Sequence, residues 1–341
     1  MIAPTPGCRQ RLRGIAAGLL LIALAAWTPL FAQSPDPQVL DVLSAVVEVR
    51  ANVPASARTA AALGTERVGS GVVIDAEGLI VTIGYLILEA TEVVIATLDG
   101  KTVPARIVAY DHETGFGLLR AGKALTVKPM ALGNSADVAQ GDPLLVTAFG
   151  GAGVVRPAVV VSRREFAGYW EYLLDNALFT SPPYPMFGGA ALMNSDGHLV
   201  GIGSLVVGDA MRGERTLPGN MFVPIDQLKS VLGDLLTAGR STSAPRAWIG
   251  VYSHESPDGL IVVQHVAEDG PASKAGIQPG DVIVEIDGRT VSSLSGMYRE
   301  LWDGHAPGDR VRVTILRGAE RRELSVLSAD RYRWLRLAPP N

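Results

Sequence analysis

The chain has 341 residues, of which 48% are hydrophobic and 19% charged, a globular composition and not a disordered one. Glycine (38 residues) and proline (22) are abundant while aromatics are only 6%, which fits many turns and short strands and argues against a long helical bundle. The formal net charge is −4 and no basic block occurs, so nucleic acid is not an expected partner.

Arg9, Arg11 and Arg13 precede an apolar run of 13 residues, 15–27, and Ala32 follows at a plausible cleavage site. This pattern predicts a secretory signal peptide over 1–32. The run falls short of the roughly 20 residues that a membrane span needs, so membrane contact is expected only if the segment stays uncleaved. Removing the three arginines leaves 27 basic against 34 acidic residues, a mature charge of −7. The only cysteine, Cys8, leaves with the segment, so neither a disulfide nor a thiolate site is expected. An exported, periplasmic location follows as the expectation.

Residues 39–50 alternate and are rich in valine, and 52–67 are small and polar and read as a loop. Short β-type runs come next at 68–74, 79–83, 92–97, 102–110 and 116–120, separated by turn signals such as Asp99–Gly100. A second set lies at 143–149, 154–162, 172–179, 190–193 and 199–207. Ile225, Leu228, Val231, Leu232, Leu235 and Leu236 recur at helical spacing. The small, polar stretch 237–246 reads as a linker. Beyond it, strands are predicted at 249–251, 260–266, 282–286, 310–316 and 322–326, with helices at 271–275 and 294–302.

The last segment carries Gly270, Pro271 and Ala272, then Ala275, Gly276 and Ile277, then Pro279, Gly280 and Asp281, with Asp287–Gly288 and Pro307–Gly308–Asp309 further on. This text resembles a bacterial PDZ domain over 247–330. Such domains bind an extended peptide as an added strand. The resemblance implies that Trp248, Ile249, Gly250 and Val251 form the carboxylate-binding loop and edge strand, their N–H groups holding a peptide's terminal carboxylate. It also implies that Met297 and Leu301 line the pocket for the last side chain.

The preceding text includes Gly69–Ser70–Gly71, Leu132–Gly133–Asn134–Ser135, Gly188–Gly189–Ala190 and Gly197–His198–Leu199. It resembles the protease domain of HtrA/DegP-type proteins. The implied fold class is mainly β: a trypsin-like double β-barrel over 39–236, followed by a small α+β PDZ domain. The family pattern also implies a homo-oligomer, a trimer.

A serine protease needs a serine nucleophile, a histidine base and an aspartate that orients it. Matched onto the family's motifs, those positions hold Tyr85 for the histidine, Gly115 for the aspartate and Gly188 for the serine. No catalytic residue, cofactor or metal is therefore expected. The expected function is non-catalytic binding of peptide C-termini or unfolded protein segments, as chaperone, adaptor or regulator. Two rivals stand beside it. One is an active serine endopeptidase with non-standard residues, Ser181 and the turn histidine His112 first among them. The other is an envelope-ligand binder that uses the aromatics of 166–172, namely Phe166, Tyr169, Trp170 and Tyr172, which otherwise would plug the vacated cleft.

Overall fold

Short valine- and isoleucine-rich runs between tight turns cannot bury themselves singly, so they pair. In the computed structural model, which describes residues 37–337, they close into two six-stranded antiparallel barrels and a third sheet. The predicted signal segment and Cys8 lie outside the described residues.

The first barrel uses β1 (Val46–Asn52), β2 (Glu66–Val73), β3 (Leu79–Ile83), β4 (Glu92–Ala96), β5 (Thr102–Tyr110) and β6 (Phe116–Ala121), in the order β1-β2-β3-β6-β5-β4. The second uses β7 (Pro143–Thr147), β8 (Arg156–Gly168), β9 (Tyr172–Ser181), β10 (Ala191–Met193), β11 (Leu199–Met211) and β12 (Leu217–Pro224), closed as β10-β11-β12-β9-β8-β7. The third sheet runs β13 (Val251–Glu255), β14 (Ile261–Val266), β15 (Val282–Ile286), β17 (Arg310–Arg317) and β18 (Glu320–Leu327), with the two-residue β16 (Arg289–Thr290) beside β15. The helices are α1 (Pro37–Ser44), α2 (Ala60–Leu63), α3 (Ile225–Ala238), α4 (Pro271–Lys274), α5 (Leu294–Trp302) and α6 (Arg331–Trp334).

Fully buried Val49, Ile80, Ile95, Phe116 and Leu118 belong to the first barrel, and Val160, Leu178, Leu192 and Phe222 to the second. Each such side chain contributes roughly 1.5–3 kcal/mol by leaving water. In the third sheet Ile249, Ile283, Val311, Val313 and Ile315 meet Met297, Tyr298 and Leu301 of α5 in a separate cluster.

Several elements differ from the sequence reading. The valine-rich stretch divides: α1 takes residues up to Ser44 and the strand starts only at Val46. A window this apolar satisfies both periods. The loop 52–67 contains α2, and β2 begins at Glu66. β12 has no counterpart among the predicted strands, yet it closes the second barrel by pairing with both β11 and β9. Its Gly219 passes so close to β9 that a Cβ there would lie 1.9 Å from the Thr180 carbonyl oxygen. α3 continues to Ala238, two residues into the stretch read as a linker, and is ended by Gly239 at φ +72°. The strand predicted at 249–251 starts at Val251, since Gly250 has φ +81° and cannot continue a ladder.

Candidate functional site

The 3₁₀ turn Gly84–Leu86 follows β3 and carries Tyr85 into the space where the two barrels meet. Its hydroxyl donates to the Ser204 carbonyl at 3.0 Å. A Cβ built on Gly188 would sit 3.1 Å from that hydroxyl, so these two positions are neighbours. Burial pushes the Tyr85 phenol well above its ordinary value, so it stays protonated at neutral pH. The Gly188 loop is pinned to the first barrel: the Gly188 carbonyl accepts from the Ser70 N–H at 2.8 Å, and the Thr82 hydroxyl donates to the Ser70 carbonyl at 2.7 Å.

Gly115 belongs to the same neighbourhood, because its carbonyl accepts from the Gly84 N–H at 2.7 Å. Its φ is +86°, and a Cβ there would lie 3.2 Å from the Tyr172 hydroxyl. That hydroxyl donates to the Thr114 carbonyl at 2.7 Å. Tyr172 is buried and stacks on Trp170 with ring centroids 5.3 Å apart, and Phe166 packs edge-on against it. Aromatic bulk thus fills the space above Gly115. Tyr169, half-exposed, is the one ring of this group that faces out. Tyr184 goes elsewhere, into the core of the second barrel.

His112 is not an exposed turn residue. It is buried and lies against the Tyr332 ring at 4.5 Å. Burial and the nearby Arg331 and Arg246 push its imidazole down to about 3, so it is neutral. Ser181 instead donates to the Pro218 carbonyl on β12 at 2.9 Å. The structure does not join Ser181 and His112. Among the described residues, no group of three or more His, Cys, Asp or Glu side chains converges as metal ligands would.

The second candidate site lies between β13 and α5. The N–H groups of Ile249, Gly250 and Val251 converge, and they are filled. All three donate to the Glu171 carboxylate, at 3.1, 2.6 and 2.9 Å respectively. Gly250 is required here, since it has φ +81° and a Cβ would meet the Trp248 ring and Ala267 at 3.1 Å. Trp248 departs from the expectation. Its N–H donates to the Ala329 carbonyl and its indole packs on Trp334, so it braces the loop from behind. Met297 and Leu301 are wholly buried on α5, in the cluster that Leu173 of β9 joins.

Sequence reasoning missed Glu171, Tyr298 and Ser253. The Ser253 N–H donates to the Tyr169 carbonyl at 2.9 Å, and the Tyr298 hydroxyl donates to the Gly168 carbonyl at 2.7 Å. Glu171 stood inside the flagged aromatic cluster, but nothing local ties it to a loop some 80 residues away.

Burial is the larger influence on Glu171 and pushes its carboxyl up to about 7, against the three N–H donors and Arg331. Its folded value is raised, so this docking is fully favoured below the ordinary value of 4.5 and weakens as pH rises through 7. The groups facing it are Arg331, Arg246, neutral His112 and Tyr298. Glu171→Gln should therefore flatten the fall in melting temperature between pH 5 and pH 8. An unchanged slope in thermal scans would contradict this.

The C-terminal residues fasten the third sheet to both barrels. The Tyr332 hydroxyl donates to the Tyr110 carbonyl, the Arg331 guanidinium to the Trp170 carbonyl, and the Arg336 N–H to the buried Glu89 carboxylate.

Residues 69–202 match the trypsin-like peptidase domain model, and residues 247–327 match the PDZ domain model. The chain thus carries a trypsin-like peptidase domain followed by a PDZ domain. It is 27% identical over 278 residues to a probable periplasmic serine endoprotease, DegP-like, of Halomonas elongata, covering 77% of this chain and 56% of that protein. It is 28% identical over 272 residues to the serine protease PepD of Mycobacterium tuberculosis, covering 72% and 57%. The chain thus spans little more than half the length of these relatives. The solved structure of the HtrA-type protease AlgW with a decapeptide shares the fold, with a TM-score of 0.50 at 21% identity over 88% of this chain and 98% of that one.

Proposed function

We propose that this protein is an exported, periplasmic pseudoprotease whose PDZ groove binds peptide C-termini or unfolded segments, as a chaperone, adaptor or regulator. One observation carries the reading. The positions that would form the triad hold a phenol kept neutral by burial, and two glycines that offer neither a nucleophile nor a carboxylate. The expected organisation is a signal segment at 1–32, barrels over 39–236, a linker at 237–246 and the PDZ domain over 247–330. The burial of Tyr172, with Phe166 and Trp170 partly buried and packed against the core, argues against the aromatic cluster as a ligand surface.

The test is cleavage of casein by the purified protein beside labelling with a fluorophosphonate. Neither cleavage nor label is expected. Cleavage with a labelled serine would overturn the reading, and the labelled position would identify the residue acting in place of Gly188.

A further inference from the structure

In strand addition, a peptide lies along an open sheet edge, gives its terminal carboxylate to a loop of N–H groups and buries its last side chain in an apolar pocket. β13 is an open edge of the third sheet. The turn between β8 and β9 meets all three requirements from within the chain. The Tyr169 carbonyl takes the Ser253 N–H of β13. The Glu171 side-chain carboxylate takes the N–H groups of Ile249, Gly250 and Val251. Leu173 joins the apolar cluster of Met297, Tyr298 and Leu301. The Tyr298 hydroxyl fastens the turn at two points, donating to the Gly168 carbonyl and accepting from the Glu171 N–H at 3.1 Å. Arg299 of α5 adds contacts to Glu165 on β8 and Asp175 on β9.

We propose that the β8–β9 turn is a resident pseudo-ligand of the PDZ groove, with Glu171 standing in for a peptide's terminal carboxylate, and that a partner with a free C-terminus must displace it. This rests on the reading that the groove binds peptide C-termini. Glu171 adopts φ +54°, a conformation that few non-glycine residues take, and the turn holds it there while its carboxylate fills the loop. A tethered occupant competes at an effective concentration on the order of millimolar, so modest contacts suffice. A peptide's apparent affinity then falls in proportion to the fraction of molecules whose groove is open.

The test compares the wild-type protein with Glu171→Ala. The probe is a library of fluorescent decapeptides varied at the last three positions, each with a free C-terminal carboxylate and with a matching amide. The variant should bind a subset of the acids at least about tenfold more tightly than wild type, and the amides poorly. Equal affinity for the two proteins would overturn the pseudo-ligand and leave peptide binding intact. Binding by neither, with faster amide exchange at Ile249, Gly250 and Val251 in the variant, would remove the peptide-binding reading and this proposal with it. Should Glu171→Ala not fold, Glu171→Gln keeps the volume but replaces one of the two acceptor oxygens with an NH2 donor that cannot accept from the loop. Unchanged amide exchange at those residues and Ser253 in that variant would also count against the proposal.

Discussion

Gly189→Ala should abolish or severely reduce folding, the largest effect expected of any single methyl group in the cleft. The residue sits at φ +73°, and an added Cβ would lie 1.9 Å from the Ser70 carbonyl oxygen and 2.8 Å from the Thr82 hydroxyl. Both neighbours are tied into β2 and β3, so neither can step aside without breaking a ladder. The left-handed conformation alone costs alanine roughly 1–2 kcal/mol. The backbone clash should bring the total above ~4 kcal/mol, a large fraction of the stability of an ordinary domain. Gly100→Ala is the control. It has φ +81° with nothing within 4 Å of its Cβ position, so it should lose only the conformational part. Thermal unfolding of both variants separates the two contributions. A Gly189→Ala protein that melts within a few degrees of Gly100→Ala would show that the Gly188 loop is not clamped as described.

Glu89→Ala should be the most damaging change to the attachment of the C-terminal segment. The carboxylate is buried and accepts four hydrogen bonds: the N–H groups of Arg58, Thr59 and Arg336, and the Thr59 hydroxyl, at 2.7–3.1 Å. Buried Arg67 lies close by and donates to the Tyr85 and Leu88 carbonyls. Removing the carboxylate leaves the N–H groups of Arg58, Thr59 and Arg336 without their acceptor, at roughly 1–3 kcal/mol for each donor that stays buried and unsatisfied. Burial alone would raise the Glu89 carboxyl, but the bonds from Arg336, Thr59 and Arg58 outweigh it and hold the group below its ordinary value. Its folded value is depressed, so its contribution is present above about 4.5 and is lost as pH falls through the folded value. The wild type should therefore lose stability on acidification below 4.5 and the variant should lose less. Parallel acid-unfolding curves for the two proteins would refute the assignment.

Much of the frame was legible because strand pairing and turn chemistry are local. The predicted runs at 79–83, 102–110 and 282–286 coincide with β3, β5 and β15, and the helix at 294–302 coincides with α5. In each, apolar period and flanking turn residues point to the same element. β12 was illegible for the opposite reason. Leu217 to Pro224 carries a glycine and two prolines, and only the carbonyl of Thr180 across the barrel explains why Gly219 is there.

The kinds of groups at the cleft and in the groove follow from residue type alone. Tyr85, Gly115 and Gly188 are a phenol and two glycines in any fold. The resemblance to a PDZ domain implied that the N–H groups around Gly250 hold a carboxylate. What those N–H groups bind depends on how distant segments of the chain pack together. A donor loop is indifferent to whether its carboxylate ends a peptide or hangs from residue 171, and it takes the one that the fold holds within reach. The same physics decided the surroundings of His112 and Tyr172. Their burial depends on α6 and on the β8–β9 turn arriving from distant parts of the chain, and no local pattern records that arrival.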